Sequence, residues 1–187
     1  IGYALHPDCR GESVMTNAVR LAITYAFVEA GIEAISWRAR VGNIASLRVA
    51  HATGFRLHEL VPDLLCERGQ IFDGWTASIR FGDPTFARTR WHFETIETDR
   101  LVLRPPVEAD LARWAEAEAD QQTSFWANQA PPSAAEIRRA YYRSNWRAAK
   151  GTHLVWVAAD RETDQFRGQV MIGGLAQSPE IGYFMHP

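Results

Sequence analysis

The chain has 187 residues, 47% of them hydrophobic and 11% aromatic, and a formal net charge of −2. That length and apolar content suffice to bury a sizeable core in one or two domains. Acidic and basic residues are interleaved, which leaves no electrostatic footprint for a nucleic-acid backbone or an anionic membrane surface, so neither is expected as a partner.

Ile1 to Leu5 reads as a short strand, and Pro7 to Ser13 as a turn leading into a helix. Val14, Ala18, Leu21, Tyr25 and Val28 recur at steps of four and three. That spacing draws one apolar stripe on an amphipathic helix packed on a sheet, and Gly31 supplies the stop. Ile35 to Val41 alternates as a strand does, Gly42-Asn43 breaks it, and a second helix is expected from about Ile44 to Thr53, ended by Gly54. Phe55 to Glu59 and Gln70 to Ile79 read as strands on either side of a loop that contains Pro62 and Gly69. The first half is thus expected to be β-α-β-α-β-β.

Phe81 to Thr98 has no clear periodicity and reads as a linker. Leu101 to Leu103 is a strand stopped by Pro105-Pro106, and Val107 to Ala119 a helix with acidic residues in its first turn. Ser133 and Glu136 form a capping box for a helix to about Ala149. Leu154 to Ala159, Arg167 to Leu175 and the segment from Ile181 complete a β-α-α-β-β-β half. The expected domains are 1–80, a linker 81–98, and 99–187.

The frame Ile1-Gly2-Tyr3-Ala4-Leu5-His6-Pro7 recurs as Ile181-Gly182-Tyr183-Phe184-Met185-His186-Pro187. A frame repeated at this separation predicts a window on a tandem protein, running from the middle of one unit to the matching point of a second. Cys9 and Cys66 stand in no metal-type spacing, so neither a disulfide framework nor a metal site is expected, and a reducing cytoplasmic setting fits.

Taken together, Ile1 to Pro7, Arg10-Gly11, Thr16 and Ala18, Asn43-Ile44-Ala45-Ser46 and Gly54-Phe55 resemble the late half of a GCN5-related N-acetyltransferase. The ribosomal-protein N-terminal acetyltransferase branch is the nearest. Thr98 to Pro105 resembles the opening of the same domain, and Glu180-Ile181-Gly182-Tyr183 its fourth strand. The resemblance implies an α/β acyl-CoA N-acyltransferase fold, with a mixed, mostly antiparallel sheet flanked by helices. It is arranged either as tandem half-domains or as one circularly permuted domain. It further implies acetyl-CoA as cosubstrate, no metal, and acetyl transfer to a small-molecule amine or a peptide N-terminus by direct attack in a ternary complex. A homodimer or an intramolecular pseudo-dimer is compatible with it.

The resemblance points to Tyr3, Ala4 and Leu5 as the strand whose backbone pairs with pantetheine, and to Arg10, Gly11, Ser13, Thr16 and Asn43 as further coenzyme contacts. A strand, a polar turn and a helix start also present free N–H groups at the positive end of a helix dipole, which suits a pyrophosphate. The plain alternative is a surface turn. Ser13 stands where the family has Gly, and a left-handed non-Gly residue costs on the order of 1–2 kcal/mol. Asn43 reads equally as a helix cap.

Ser46 matches the family hydroxyl that protonates the departing thiolate, and reads otherwise as a first-turn residue bonding backbone. Pro7 occupies the position where several family members have a basic Glu. His6 beside it is a candidate general base, against a plain loop histidine or a water relay. Loops Val61 to Gln70 and Gln121 to Pro132 are candidate acceptor walls, with Phe125 and Trp126 more in keeping with core. A catalytically degenerate coenzyme-binding or scaffolding domain is the alternative function.

Overall fold

In the computed structural model, which describes residues 2–91, 94–127 and 130–187, Val14–Val28 forms the first helix, α1, but a different apolar stripe faces inward. Val19, Ile23 and Phe27 are buried, whereas Leu21, Tyr25 and Val28 are 73%, 66% and 64% exposed. The helix is apolar on both sides. Periodicity sees each stripe equally, and only tertiary packing selects between them.

The chain divides into two units, Ile1–Arg88 and Thr89–Pro187. In the first, β1 (Ala34–Arg40), α2 (Ile44–Ala52), β2 (Arg56–Glu67) and β3 (Gln70–Arg80) follow α1. The sheet is antiparallel in the order β1-β3-β2, which leaves β1 at an edge. Its core contains Trp37, Leu47, Phe55, Trp75 and Ile79, each at most 3% exposed.

Two expectations for this unit are corrected. Gly2–Leu5 forms no strand, because a strand requires a laddered partner and β1 pairs only with β3. The loop expected around Pro62 is instead the continuation of β2, which tolerates proline through register shifts between Val61 and Leu65. The reversal itself is confined to Arg68 and Gly69, both at positive φ.

Residues read as linker fold onto their neighbours. Arg20 Nε donates to the Thr85 carbonyl (3.1 Å) and Arg88 Nε to the Gly54 carbonyl (2.8 Å). Asp83 pairs with Arg88 at 2.8 Å and Arg56 at 3.3 Å. Ile96–Glu97 forms a short strand, β4, in the second unit.

The second unit carries a five-stranded antiparallel sheet in sequential order, β4, β5 (Leu101–Arg104), β6 (Leu154–Asp160), β7 (Phe166–Gly173) and β8 (Glu180–Met185). Its helices are α3 (Leu111–Ala119), α4 (Gln121–Ala127) and α5 (Ala134–Ala149). α3 begins later than its pattern predicts, because Glu108–Asp110 is a 3₁₀ turn. There the buried Asp110 accepts the Val107 N–H (2.8 Å) and a two-pronged bond from Arg104 (3.0 and 2.9 Å). The Ser133 capping box is present, with Glu136 Oε2 accepting the Ser133 N–H at 2.7 Å. Each unit is thus α/β, an antiparallel sheet flanked by helices.

The segment Gln121–Ala127 is a helix rather than a loop, held at its start by Asp120, whose carboxylate accepts N–H groups of Gln122 and Thr123 at 3.0 Å each. Phe125 and Trp126 are 72% and 76% exposed and stack edge to face. They are surface residues, not core.

Candidate active site

The first unit contains an open cavity of about 1390 Å³ beside the free edge of β1. Tyr3, Trp37, Asn43 and Ser46 line it, with Arg38 and Arg40 supplying positive charge. Arg40 stacks its guanidinium 3.6 Å from the centre of the Phe72 ring. Gly2 and Tyr3 reach this cavity, and among the described residues the backbone of Gly2–Leu5 enters no sheet ladder.

Asn43 caps α2, its Oδ1 accepting the Ser46 N–H at 3.0 Å. That bond occupies the carbonyl side of the amide. Ser46 lies one turn along, with its Oγ 2.9 Å from Tyr3 Oη. Tyr3 Oη also donates to the Ser46 carbonyl at 3.0 Å and accepts Trp37 Nε1–H at 3.2 Å. Burial pushes the Tyr3 phenol above its ordinary pKa, and the bonds to Ser46 and Trp37 pull it partly back.

This hydroxyl cluster escapes sequence reading, which gives Tyr3 only a backbone role. Its signal is faint: a phenol before the first helix, an indole 34 residues further on, and a hydroxyl opening a helix. The matching Tyr183 of the second frame is 75% exposed, whereas Tyr3 is half-buried.

The other candidates lie around the start of α1. Pro7–Cys9 is a 3₁₀ turn capped by His6, after which Arg10 and Gly11 (φ 89°) are exposed. Ser13 caps α1 at φ 60° and ψ 11°, and its side chain makes no capping bond. The first-turn N–H groups of α1 are therefore not satisfied by this cap, and the left-handed geometry is the one in which glycine is least strained. Thr16 is half-buried within the first turn, while Ala4 is exposed and Leu5 half-buried.

His6 faces its own turn. Its Nδ1 accepts the Asp8 N–H at 3.4 Å and, when protonated, stands 3.4 Å from the Asp8 carboxylate. It is not among the residues lining the cavity. His186 of the second frame instead bonds Glu116 on α3 through Nε2 at 3.1 Å. Cys9 and Cys66 are unpaired and exposed.

In the second unit a smaller cavity, about 470 Å³, lies at the head of β8 between His153 and Glu180. Gly173 stands between them, paired with Glu180, and burial with the nearby Arg147 charge lowers the His153 pKa. Neither His153 nor Glu180 stands out from sequence pattern as a site residue. Among the described residues no cluster suited to a metal ion occurs and no helix is long and apolar enough to cross a membrane.

The acetyltransferase (GNAT) domain model matches residues 1–56 and 100–187, more than half of the chain, and the chain belongs to that family. A crystal structure described as a probable acetyltransferase is 31% identical, with a TM-score of 0.41, over 43% of this chain and 46% of its own. This chain thus spans less than half of that relative's length. No curated protein matches it.

Proposed function

We propose that the protein is an acetyl-CoA-dependent N-acetyltransferase whose acceptor is a primary amine, on a small molecule or at a peptide N-terminus. In this reading the first unit is the late half of one acetyltransferase domain and the second unit the early half of another. The observation that carries it is the convergence of Asn43, Ser46 and the unladdered Gly2-Tyr3 segment on one cavity at the edge of β1.

Each part has a chemical task. The pyrophosphate lies at the start of α1, where Arg10 and free N–H groups meet it. The pantetheine arm runs between β1 and Tyr3–Leu5, bonding backbone and the Asn43 amide nitrogen. The amine attacks the thioester carbon directly, a backbone N–H steadies the oxyanion, and the departing sulfur takes a proton from Ser46. No enzyme nucleophile is needed. With Pro7 in the usual Glu position and His6 turned toward Asp8, water removes the amine proton.

The geometry of Ser13 favours a second reading, in which the domain binds coenzyme without turnover. Its left-handed backbone is held by a residue other than glycine, which hinders close approach of a phosphate. Melting the protein with rising acetyl-CoA separates a binder from a non-binder. Thiol release with a panel of amines then separates transfer from binding alone, and absence of both defeats the proposal. A cytoplasmic setting and self-association as a homodimer or pseudo-dimer belong to the same proposal, the latter read by sedimentation of the full chain.

A further inference from the structure

We propose that Tyr3 is the positioning residue and proton reservoir behind Ser46, so that the proton reaching the leaving sulfur is replaced along a chain running from Tyr3 Oη to Ser46 Oγ. The inference rests on the acetyl-transfer reading above and deepens it.

The argument begins with an acidity mismatch. An aliphatic hydroxyl is about as weak an acid as water, whereas a thiol titrates at about 8.5 and a phenol at about 10. A serine alone that gave its proton to a thiolate would be left as an alkoxide several units more basic than the group it served. A phenol behind the serine removes that obstacle, because the charge then rests on an oxygen whose acidity is close to that of sulfur.

The geometry supplies this arrangement. Tyr3 Oη is 2.9 Å from Ser46 Oγ, within transfer distance, and Trp37 Nε1–H donates to the same phenol oxygen at 3.2 Å. An indole N–H only donates, so it fixes one lone pair of Tyr3 and leaves the phenol proton on the Ser46 side, shared between the Ser46 carbonyl at 3.0 Å and its Oγ at 2.9 Å. Trp37 is itself 2% exposed, so this donor is held in place by the core. Ser46 and Tyr3 both line the cavity, which leaves Ser46 facing the space where sulfur lies in the proposed complex. The phenol is partly withdrawn from water, and the indole N–H steadies the tyrosinate formed in passing.

The step balances. The amine nitrogen bonds the thioester carbon and loses a proton to water. As the tetrahedral intermediate collapses, the C–S bond breaks, sulfur keeps its electron pair and takes the Ser46 proton, and the Tyr3 proton moves to Ser46 Oγ. Water then returns a proton to Tyr3. The other charged or titratable groups on the cavity wall are Arg38 and Arg40 on β1 and His58 and Glu67 on β2. The phenol is set apart from them by its direct bond to Ser46.

The test compares the full-length wild type with Tyr3→Phe, Ser46→Ala, the double variant and Ser46→Thr. Thiol release from acetyl-CoA with an alanyl tetrapeptide and with a small primary amine is followed from pH 7 to 10, beside melting with acetyl-CoA. A relay gives a loss of kcat on the order of a hundredfold for Tyr3→Phe and Ser46→Ala alike, within the usual range for an acid catalyst. It also predicts no further loss in the double variant, as expected of residues acting as a unit. The KM for acetyl-CoA stays within about twofold, and Ser46→Thr recovers most activity. Wild-type kcat in Tyr3→Phe, losses that multiply, or a change in KM alone overturns the relay while transfer stands. Wild type that is stabilised by acetyl-CoA but releases no thiol also overturns it, leaving coenzyme binding. Absence of both binding and release in the wild type overturns the transfer reading and the relay together.

Discussion

The backbone carbonyl of Pro84 occupies the space that a Cβ on Gly54 would need. Gly54 is also at φ 83°, and its own carbonyl accepts the Arg88 Nε–H. The family-like Gly54-Phe55 pair therefore has a physical cause, a left-handed helix end pressed against a returning segment. Gly54→Ala is expected to destabilise the first unit by about 3 kcal/mol or more, the sum of the conformational cost and the displaced backbone. Urea unfolding of the full chain measures it; a loss under about 1 kcal/mol would mean that the 84–88 segment yields freely.

Ser13 is a left-handed cap without a capping bond. Ser13→Gly is expected to stabilise the protein by up to about 1 kcal/mol and to tighten acetyl-CoA binding, because the same backbone becomes unstrained and more open to a phosphate. Melting temperature and calorimetric titration report the two effects separately.

Asp110 is 3% exposed and accepts three hydrogen bonds, two from Arg104 and one from the Val107 N–H. Replacing it by Leu leaves the Arg104 charge without its main partner and the turn without its acceptor. A loss of about 3–5 kcal/mol is expected in the second unit, visible as an earlier transition in chemical unfolding. Arg104 retains Asp164 at its Nε, so Asp164→Ala should cost far less.

Asp160 gives a pH-dependent prediction. Arg167, Thr163 and the Glu162 N–H bond its carboxylate and hold its pKa down at about 2. A depressed folded-state value means that the stabilisation is fully present above the ordinary carboxylate value, near about 4, and is lost as pH falls toward about 2. Asp160→Ala should lower the melting temperature at pH 6, with the difference from wild type shrinking between about pH 4 and 2. A constant difference across that range would assign the effect to packing rather than charge.

The order of elements was legible because local rules act on neighbouring residues: Ser133 and Glu136 cap α5 three residues apart, and Gly42-Asn43 must turn before α2. Burial was less legible. On α1 the sequence offers two apolar stripes, and the exposed Leu21 and Tyr25 fit the helical period as well as the buried Ile23 and Phe27 do. Residues 2–5 have strand-like character, yet without a laddered partner they form no strand. The site divides in the same way. Asn43 and Ser46 are visible because their spacing along a helix start is local, whereas Tyr3, Trp37 and Ser46 meet through 34- and 43-residue separations.

By itself, the sequence determined the α/β class, the caps of α2 and α5 and the family. Only the tertiary structure decided which helix face is inside, that Ser13 is left-handed, that His6 turns to Asp8, and that a half-buried phenol lies beside Ser46. The reason is the range of the forces. Turns, caps and periodicity act within a few residues, while burial and hydrogen bonding between side chains depend on which distant segments the fold brings within about 3 Å of one another.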